Sequence, residues 1–432
     1  MESFIVKGKT NLNGKVKISG SKNTAVAILP AAVLTAETVY LDNLPDITDV
    51  RTMTEILETL GVSIRRRGRN SVELTPANLS KIAPSYELVK KMRASYYFMG
   101  SLLGRFGRAE VPLPGGCELG PRPIDQHLKG FSALGAEINI EHGMIHLSAE
   151  KLTGAHIYLD VVSIGATINL MLAAVAAEGR TVLENVAKEP EIVDLANFLN
   201  AMGATVRGAG TDVMRIDGTK TFKGVRHAII PDRIEAGTFM LAAAATKGNV
   251  TVEEVIPKHL EVITAKLKET GANVTVEPER INVKVNRPLK SSDLKTFPYP
   301  GFPTDLQPPG MVLLTAAKGL SVVTENVFDG RYNQVDELKR MGAKVKVEGR
   351  TALVEGGQAL SGAPVSVSDL RSGAALMIAA LMADGESRIS EVEHIDRGYE
   401  NFEQKLIQLG ASIKRVSVDN YTQLSDSQDS TA

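Results

Sequence analysis

The chain has a single cysteine, Cys117, among 432 residues, so no disulfide can form within it. Long apolar runs are also missing. The longest, such as Ala25 to Ala36, falls short of the roughly 18 residues that a membrane span requires. The opening MESFIVKGKT has no apolar segment of the kind that directs secretion, which makes the cytoplasm the expected location. No sign of charge predominates: 49 Lys and Arg stand against 50 Asp and Glu, a formal net charge of -1. Neither nucleic acid nor an anionic membrane surface is therefore an expected partner, and any anion must be bound by local placement of cations. The seven histidines are scattered, with no HExxH and no paired cysteines, so no metal is expected. No P-loop or Rossmann glycine pattern points to a nucleotide cofactor.

A repeat fills the chain instead. The segments LGVSI, LGAEI, MGATV, TGANV, MGAKV and LGASI place Gly61, Gly135, Gly203, Gly271, Gly342 and Gly410 at intervals of 74, 68, 68, 71 and 68 residues. Each glycine ends an amphipathic run such as TEILETL or FEQKLIQL, where glycine suits the left-handed residue that closes a helix. A second helix precedes each run. Its copies (AVAILPAAVLT, YYFMGSLLG, TINLMLAAVAAEG, GTFMLAAAATKG, MVLLTAAKG, AALMIAALMADG) are apolar on nearly every face and should be buried. Short strands follow in most copies: TVYLDNL, TVLENV, VTVEEV, SVVTENV, SRISEV. Six copies at near-constant spacing are too many for chance.

The sixth copy lacks its last strand, and the unpaired opening segment SFIVKG can supply it. Three copies per lobe are therefore expected: 21–229 in lobe one, 1–20 with 230–418 in lobe two, and 419–432 as a flexible polar tail. The segment GAGTD at 208–212 reads as a hairpin turn.

The residues that open the six buried helices are Lys22, Arg93, Ser163, Arg233, Asp305 and Arg371. Four are cations, the wrong sign for a helix start, where a cation costs about 0.3–1 kcal/mol. An anionic ligand would reverse that sign, because helix amides and cations would converge on it. Local neutralisation by Asp232, Glu235 and Asp369 is the other reading. If two lobes face each other, Lys22, Arg93, Arg371 and the acid Asp305 would rim the cleft. The loop from Val111 to Phe131, VPLPGGCELGPRPIDQHLKGF, is rich in Pro and Gly and reads as a lid. A lone cysteine is by default a small buried hydrophobe, but Cys117 stands in this loop with Arg122 nearby, and a cation raises a thiol's ionised fraction. Arg331 and Arg397 occupy the equivalent loops of the last two copies, and His127 reads as a hydrogen-bonding residue at a helix start.

Together, SGSKNTAVAILPA, PGGCELGPRPIDQH, FPTDLQP, DLRSGAA and IDRGYE closely resemble the UDP-N-acetylglucosamine 1-carboxyvinyltransferase family of enolpyruvyl transferases, over the chain to about residue 418. The resemblance implies an α/β fold of two inside-out barrels, with three βαβαββ-type units in each lobe. It implies transfer of the enolpyruvyl group of phosphoenolpyruvate to the 3′-hydroxyl of UDP-N-acetylglucosamine, releasing phosphate, in the first committed step of peptidoglycan synthesis. No cofactor is implied. On matching positions, Lys22, Arg122 and Arg397 would hold the phosphate and carboxylate of phosphoenolpyruvate, with Asn23, Arg93 and Arg371 completing that site. Asp305 would be the base or proton relay at the sugar hydroxyl, and Lys22 and Arg397 would count among the catalytic residues. Cys117 would be the general acid at the enol carbon, able to form a phospholactoyl adduct and to be labelled by fosfomycin.

The resemblance also assigns a UDP-sugar lining to Asn23, Arg93, Arg122, Pro123, Ile124, Asp125, Gln126, Ser163, Ile164, Gly165, Asp305 and Val327, with Arg331 and Asp369 in second rank. Two positions depart from the family pattern. Val161 replaces a frequent Lys, and Gln126 replaces a frequent apolar neighbour of the uracil. Two alternatives remain. One is 5-enolpyruvylshikimate 3-phosphate synthase, whose Ser-Lys-Ser opening and missing lid cysteine contrast with Ser21-Lys22-Asn23 and Cys117. The other is a catalytically silent paralogue that binds nucleotide-sugars. Oligomeric state is not legible.

Overall fold

Helices without a polar face have to be covered on all sides, and that requirement organises the chain. The structure, a computed structural model, describes residues 2–113 and 124–417. The six apolar segments form the helices Lys22–Ala31, Phe98–Phe106, Ile164–Ala174, Arg233–Ala245, Gln307–Ala316 and Leu370–Met382. Every residue of Arg233–Ala245 is buried. The contacts divide the described residues into two units, one of 19–113 and 124–231, the other of 2–18 and 232–417. They are called the N-terminal and C-terminal units below.

In the C-terminal unit, Arg233–Ala245, Gln307–Ala316 and Leu370–Met382 pack on one another, and each also packs on a sheet. In the N-terminal unit, Phe98–Phe106 packs on both Ile164–Ala174 and Lys22–Ala31. Each unit holds three sheets and one continuous hydrophobic core. Each is thus an inside-out α/β barrel of three repeats, with helices within and sheets around them.

The amphipathic helices lie outside. Each is followed by its glycine in the left-handed region: Gly61, Gly135, Gly203, Gly271, Gly342 and Gly410 have φ of 105°, 93°, 106°, 94°, 90° and 99°. A side chain at these positions would be strained, which is why glycine recurs there. A typical sheet combines an antiparallel hairpin with a strand and its short parallel neighbour. In one, Asn273–Glu277 pairs with Arg280–Lys284, which pairs with Asn249–Glu253, and Asn13–Lys17 runs parallel to that strand. The segment 208–212 turns the hairpin between Thr205–Arg207 and Val213–Asp217.

The last sheet is built differently. Among the described residues Ser412–Ser417 has no hairpin partner of its own, and Glu2–Lys7 runs antiparallel between it and Glu386–Ser390. Phe4 and Val6 on this strand are fully buried. Arg415 fastens the strand from outside, donating to Glu2 at 2.6 Å and to Glu403 at 3.1 Å, and it also pairs with Asp396. Among the described residues, no helix is long and apolar enough to cross a membrane.

Because Phe4 is completely enclosed, Phe4→Ala should cost about 3–5 kcal/mol of stability, the usual range for truncating a buried aromatic ring. Denaturant unfolding measures this directly. A loss below about 1 kcal/mol would mean that the strand is held by its backbone pairing and Arg415 alone.

Candidate active site

A buried helix must find partners for its first-turn N–H groups. Four of the six do so through a capping side chain. Ser21 Oγ accepts from Thr24 N at 3.2 Å and Ser163 Oγ from Ala166 N at 3.2 Å. Asp232 accepts from Ile234 N and Glu235 N, and Asp369 from Arg371 N and Ser372 N. Lys22 and Arg233 are therefore first helical residues, Arg371 is a second, and Ser163 is the cap itself. Arg93 and Asp305 sit instead in the short 3-10 turns Arg93–Tyr97 and Thr304–Leu306 that lead into their helices.

In the C-terminal unit, Asp305 is held between two arginines. Its Oδ1 lies 2.9 Å from Arg331 Nη1, and its Oδ2 accepts from Arg371 Nη2 at 2.9 Å and Nε at 3.2 Å. Both arginine side chains are 4% exposed, against 25% for Asp305. Arg371 is thus not the open rim cation that the sequence suggested, since Asp305 already engages it. The neutralising acid is Asp305 rather than Asp369, which caps the helix. Burial works against the Arg371 charge, but Asp305, Tyr399 and Asp232 outweigh it and hold the guanidinium pKa above its ordinary value. Arg371 also stacks at 5.3 Å over the Tyr399 ring.

Arg331 Nε and Arg371 Nη1 are buried and meet no acceptor in good geometry among the described residues, although the Tyr399 hydroxyl lies close to the Arg371 guanidinium. Val327 is exposed, and its N–H donates to the fully buried Glu325 at 2.8 Å. Arg397 is partly exposed at the C-terminal end of the short helix Glu393–Asp396.

In the N-terminal unit, Lys22 Nζ pairs with Asp49 Oδ2 at 2.9 Å, and the two side chains are 16% and 5% exposed. Sequence reasoning missed Asp49; its signal is an acid in the first turn of the next helix, Thr48–Leu60. Arg93 lies 5.8 Å from the Tyr96 ring centre. A Cβ on Gly165 would stand 2.3 Å from the Tyr96 hydroxyl, so only glycine fits there. Val161 and Ile164 are exposed, Asp125 is exposed, and Asn23 and Ile124 are half-buried.

Gln126 is buried, and its amide is committed to protein. Nε2 donates to Asp125 at 2.9 Å and to Asp160 at 3.0 Å, while Oε1 accepts from Asp160 N at 2.8 Å. It therefore ties the start of helix Asp125–Ala133 to the loop before Ser163. Cys117, Arg122 and Pro123 lie outside the described residues.

His127 is a buried neighbour of this group. Asn169 Oδ1 accepts from Gly100 N, which fixes the amide orientation and makes Nδ2 the donor to His127 Nδ1 at 2.9 Å. His127 Nδ1 must then be an acceptor, which leaves the proton of the neutral ring on Nε2. Burial, and secondarily Arg93, push its pKa from 6.5 to about 4.

A family model described as EPSP synthase (3-phosphoshikimate 1-carboxyvinyltransferase) matches residues 6–406. UDP-N-acetylglucosamine 1-carboxyvinyltransferase 3 of Caldanaerobacter subterraneus subsp. tengcongensis is 56% identical over 416 residues, covering 96% of this chain and 100% of that one. UDP-N-acetylglucosamine 1-carboxyvinyltransferase 2 of Geobacillus kaustophilus is 56% identical over 415 residues, covering 96% and 97%. Among solved structures, the enolpyruvyl transferase NikO from Streptomyces tendae aligns with a TM-score of 0.87 at 23% identity, covering 96% of this chain and 99% of that one. The EPSP synthase of Acinetobacter baumannii aligns at 0.74 and 19% identity, covering 96% and 100%. These two likenesses speak to the fold alone.

The histidine yields a pH prediction. Its folded pKa lies below 6.5, so the unfolded chain takes up the proton first. Stability is full above about pH 6.5 and is lost as pH falls toward about 4. His127→Asn keeps an acceptor for Asn169 but cannot titrate. Between pH 7 and pH 4 the wild type should lose about 3 kcal/mol more than this variant in denaturant unfolding. Equal losses would show that His127 does not govern the acid limb.

Proposed function

Because the chain belongs to the UDP-N-acetylglucosamine 1-carboxyvinyltransferase family, we propose that it transfers the enolpyruvyl group of phosphoenolpyruvate to the 3′-hydroxyl of UDP-N-acetylglucosamine. Phosphate is released, and the step is the first committed one of peptidoglycan synthesis. The observation that carries the chemistry is Asp305 between Arg331 and Arg371, a proton acceptor joined to two buried cations.

The reaction needs a proton delivered to the methylene carbon of phosphoenolpyruvate and a new bond from the sugar oxygen to the adjacent carbon. It also needs a proton taken from the sugar hydroxyl. Phosphate then leaves as the methyl carbon gives back a proton. Asp305 takes the hydroxyl proton, and Cys117 supplies the one at carbon. The carboxylate of phosphoenolpyruvate competes with Asp305 for Arg371 and Arg331, so donor binding loosens the base as it is needed. Lys22, Arg93, Arg122 and Arg397 hold the remaining charge of the donor. Each charge-assisted hydrogen bond contributes about 1.5–3 kcal/mol, more where positive charge develops beside the anion.

Asn23, Pro123, Ile124, Asp125, Gln126, Ser163, Ile164, Gly165 and Val327 line the sugar-nucleotide site in this scheme. Asp369 acts through its cap on the helix of Arg371. Both substrates are intracellular small molecules, which favours a cytoplasmic location, and neither nucleic acid nor a membrane enters the reaction.

Phosphate release should require phosphoenolpyruvate and UDP-N-acetylglucosamine together, with shikimate 3-phosphate inert. Absence of turnover with the sugar nucleotide would refute the reading. Incubation with phosphoenolpyruvate or fosfomycin should add mass at Cys117. Full turnover by Cys117→Ser would remove that thiol as the proton donor.

A further inference from the structure

Glu325 takes no part in the chemistry above, yet it is fully buried and lies in a strand-end turn where the fifth repeat departs from the others. In the first repeat, Asn43 directly follows strand Val39–Asp42 and donates to Ile229 O; in the third, Asn185 directly follows Arg180–Glu184 and donates to Leu159 O. The fifth repeat has the same bond from Asn326 to Thr296 O, but its strand Gly319–Thr324 ends two residues earlier. Backbone pairing fixes the alignment: Ile229 N donates to Asp42 O, Leu159 N to Glu184 O, and Thr296 N to Thr324 O. The antiparallel neighbour then places Glu325: its N–H donates to Arg350 O, as Leu44 N does to Asn70 O, Val186 N to Asp212 O and Val255 N to Glu279 O. Glu325 thus takes the buried position of Leu44, Val186 and Val255, and the residue that precedes that position in those repeats is absent. The conformation changes with it. Asn43, Asn185, Glu254 and Glu391, each first after its strand, have φ between 54° and 59°, whereas Glu325 is not among the residues with positive φ.

The Glu325 carboxylate accepts four hydrogen bonds. Oε1 takes Thr296 Oγ1 at 2.7 Å, Val327 N at 2.8 Å and Phe328 N at 3.1 Å, and Oε2 takes Thr304 Oγ1 at 2.9 Å. The Thr304 hydroxyl also accepts from Arg331 Nη1 at 2.9 Å. A guanidinium can only donate and a carboxylate can only accept, so the hydroxyl proton points to Glu325 and a lone pair faces Arg331. The same Nη1 lies 2.9 Å from Asp305, and the Arg331 guanidinium stands 5.3 Å over the Phe328 ring. One carboxylate thus reaches Arg331 from two sides, through Thr304 and through the turn that carries Phe328.

We propose that Glu325 is a positioning residue for the transferase reaction. Its Oε2 sets the Arg331–Asp305 pair through Thr304, and its Oε1 sets the Val327–Phe328 edge of the sugar-nucleotide site. This rests on the function proposed above. The two oxygens address two substrates, so their effects separate. Thr304→Val cuts only the arm to Arg331, and Thr296→Val loosens only the turn.

Steady-state phosphate release on the full chain tests this. Thr304→Val should raise KM for phosphoenolpyruvate about tenfold while KM for UDP-N-acetylglucosamine stays within about twofold. Thr296→Val should do the reverse, and Glu325→Gln should raise both. Thr304→Ser, which restores the hydroxyl, should bring KM for phosphoenolpyruvate back to within about threefold of wild type. A merely structural role would lower the amount of active enzyme and leave both KM values alone. That outcome overturns the proposal, as does Thr304→Ser behaving like Thr304→Val. If Thr304→Val does not fold, the Thr304→Ser and Thr296→Val comparison decides. Failure of the wild type to turn over the sugar nucleotide would refute the transferase reading itself and is seen before any variant is made.

Discussion

Six helices that are apolar on every face satisfy their own backbone except at the ends, and the first-turn N–H groups are the part the rest of the structure has to serve. Two solutions are used. Four helices take a side-chain cap from Ser21, Ser163, Asp232 or Asp369, which leaves the following one or two positions open for Lys22, Arg233 and Arg371. The helices Phe98–Phe106 and Gln307–Ala316 have no such cap. In the first, Gly100 N is met by Asn169 from the neighbouring helix. In the second, Pro308 and Pro309 bring no N–H to satisfy. A 3-10 turn precedes each uncapped helix, and these turns carry Arg93 and Asp305. The side chains with chemical potential stand where capping has been handed to something else.

Cations at helix starts oppose the dipole, and the fold offsets this with internal acids. Asp49 faces Lys22, and Asp305 faces Arg371 together with Arg331. An anionic substrate at Arg371, as proposed above, would therefore exchange with a carboxylate already present. Exchange keeps the desolvation cost of the guanidinium within folding, so binding does not have to meet it again. It also makes the displaced acid available, which suits a base that has to act only when the donor is bound.

Local patterns were the legible part. The closing glycines could be read because left-handed φ is a property of one residue, and the place of Glu2–Lys7 in the last sheet could be read because strands can be counted along the repeats. The short parallel strands His156–Tyr158, Arg226–Ala228 and Pro364–Ser366 are too brief to show a period of two. The helix-start cations were visible, but their partners were not. Asp305 and Arg371 are 66 residues apart, and nothing in their neighbourhoods announces the contact. Asp369 drew attention by adjacency and proved to be a cap, while Asp49, in the next helix, neutralises Lys22.

Glu325 shows how a repeat can conceal its own exception. Placed side by side, TVLENV and SVVTENV match at Glu-Asn-Val, which sets Glu325 opposite Glu184. The backbone pairing sets Thr324 there instead. Glu184 ends its strand and reaches His156 at 2.9 Å with a third of its side chain exposed; Glu325 lies one step further and is wholly enclosed. Identical letters thus hold different places, because the fifth repeat lacks the left-handed residue of its counterparts and Glu325 fills the buried position that Leu44, Val186 and Val255 hold in theirs. A buried carboxylate with no arginine or lysine of its own needs four donors to be tolerated, and two of those donors, Thr304 and the Val327 amide, belong to segments that the substrates are expected to touch. The buried carboxylate is tolerable because it is bonded to those segments, and the same bonds are what allow it to hold them in place.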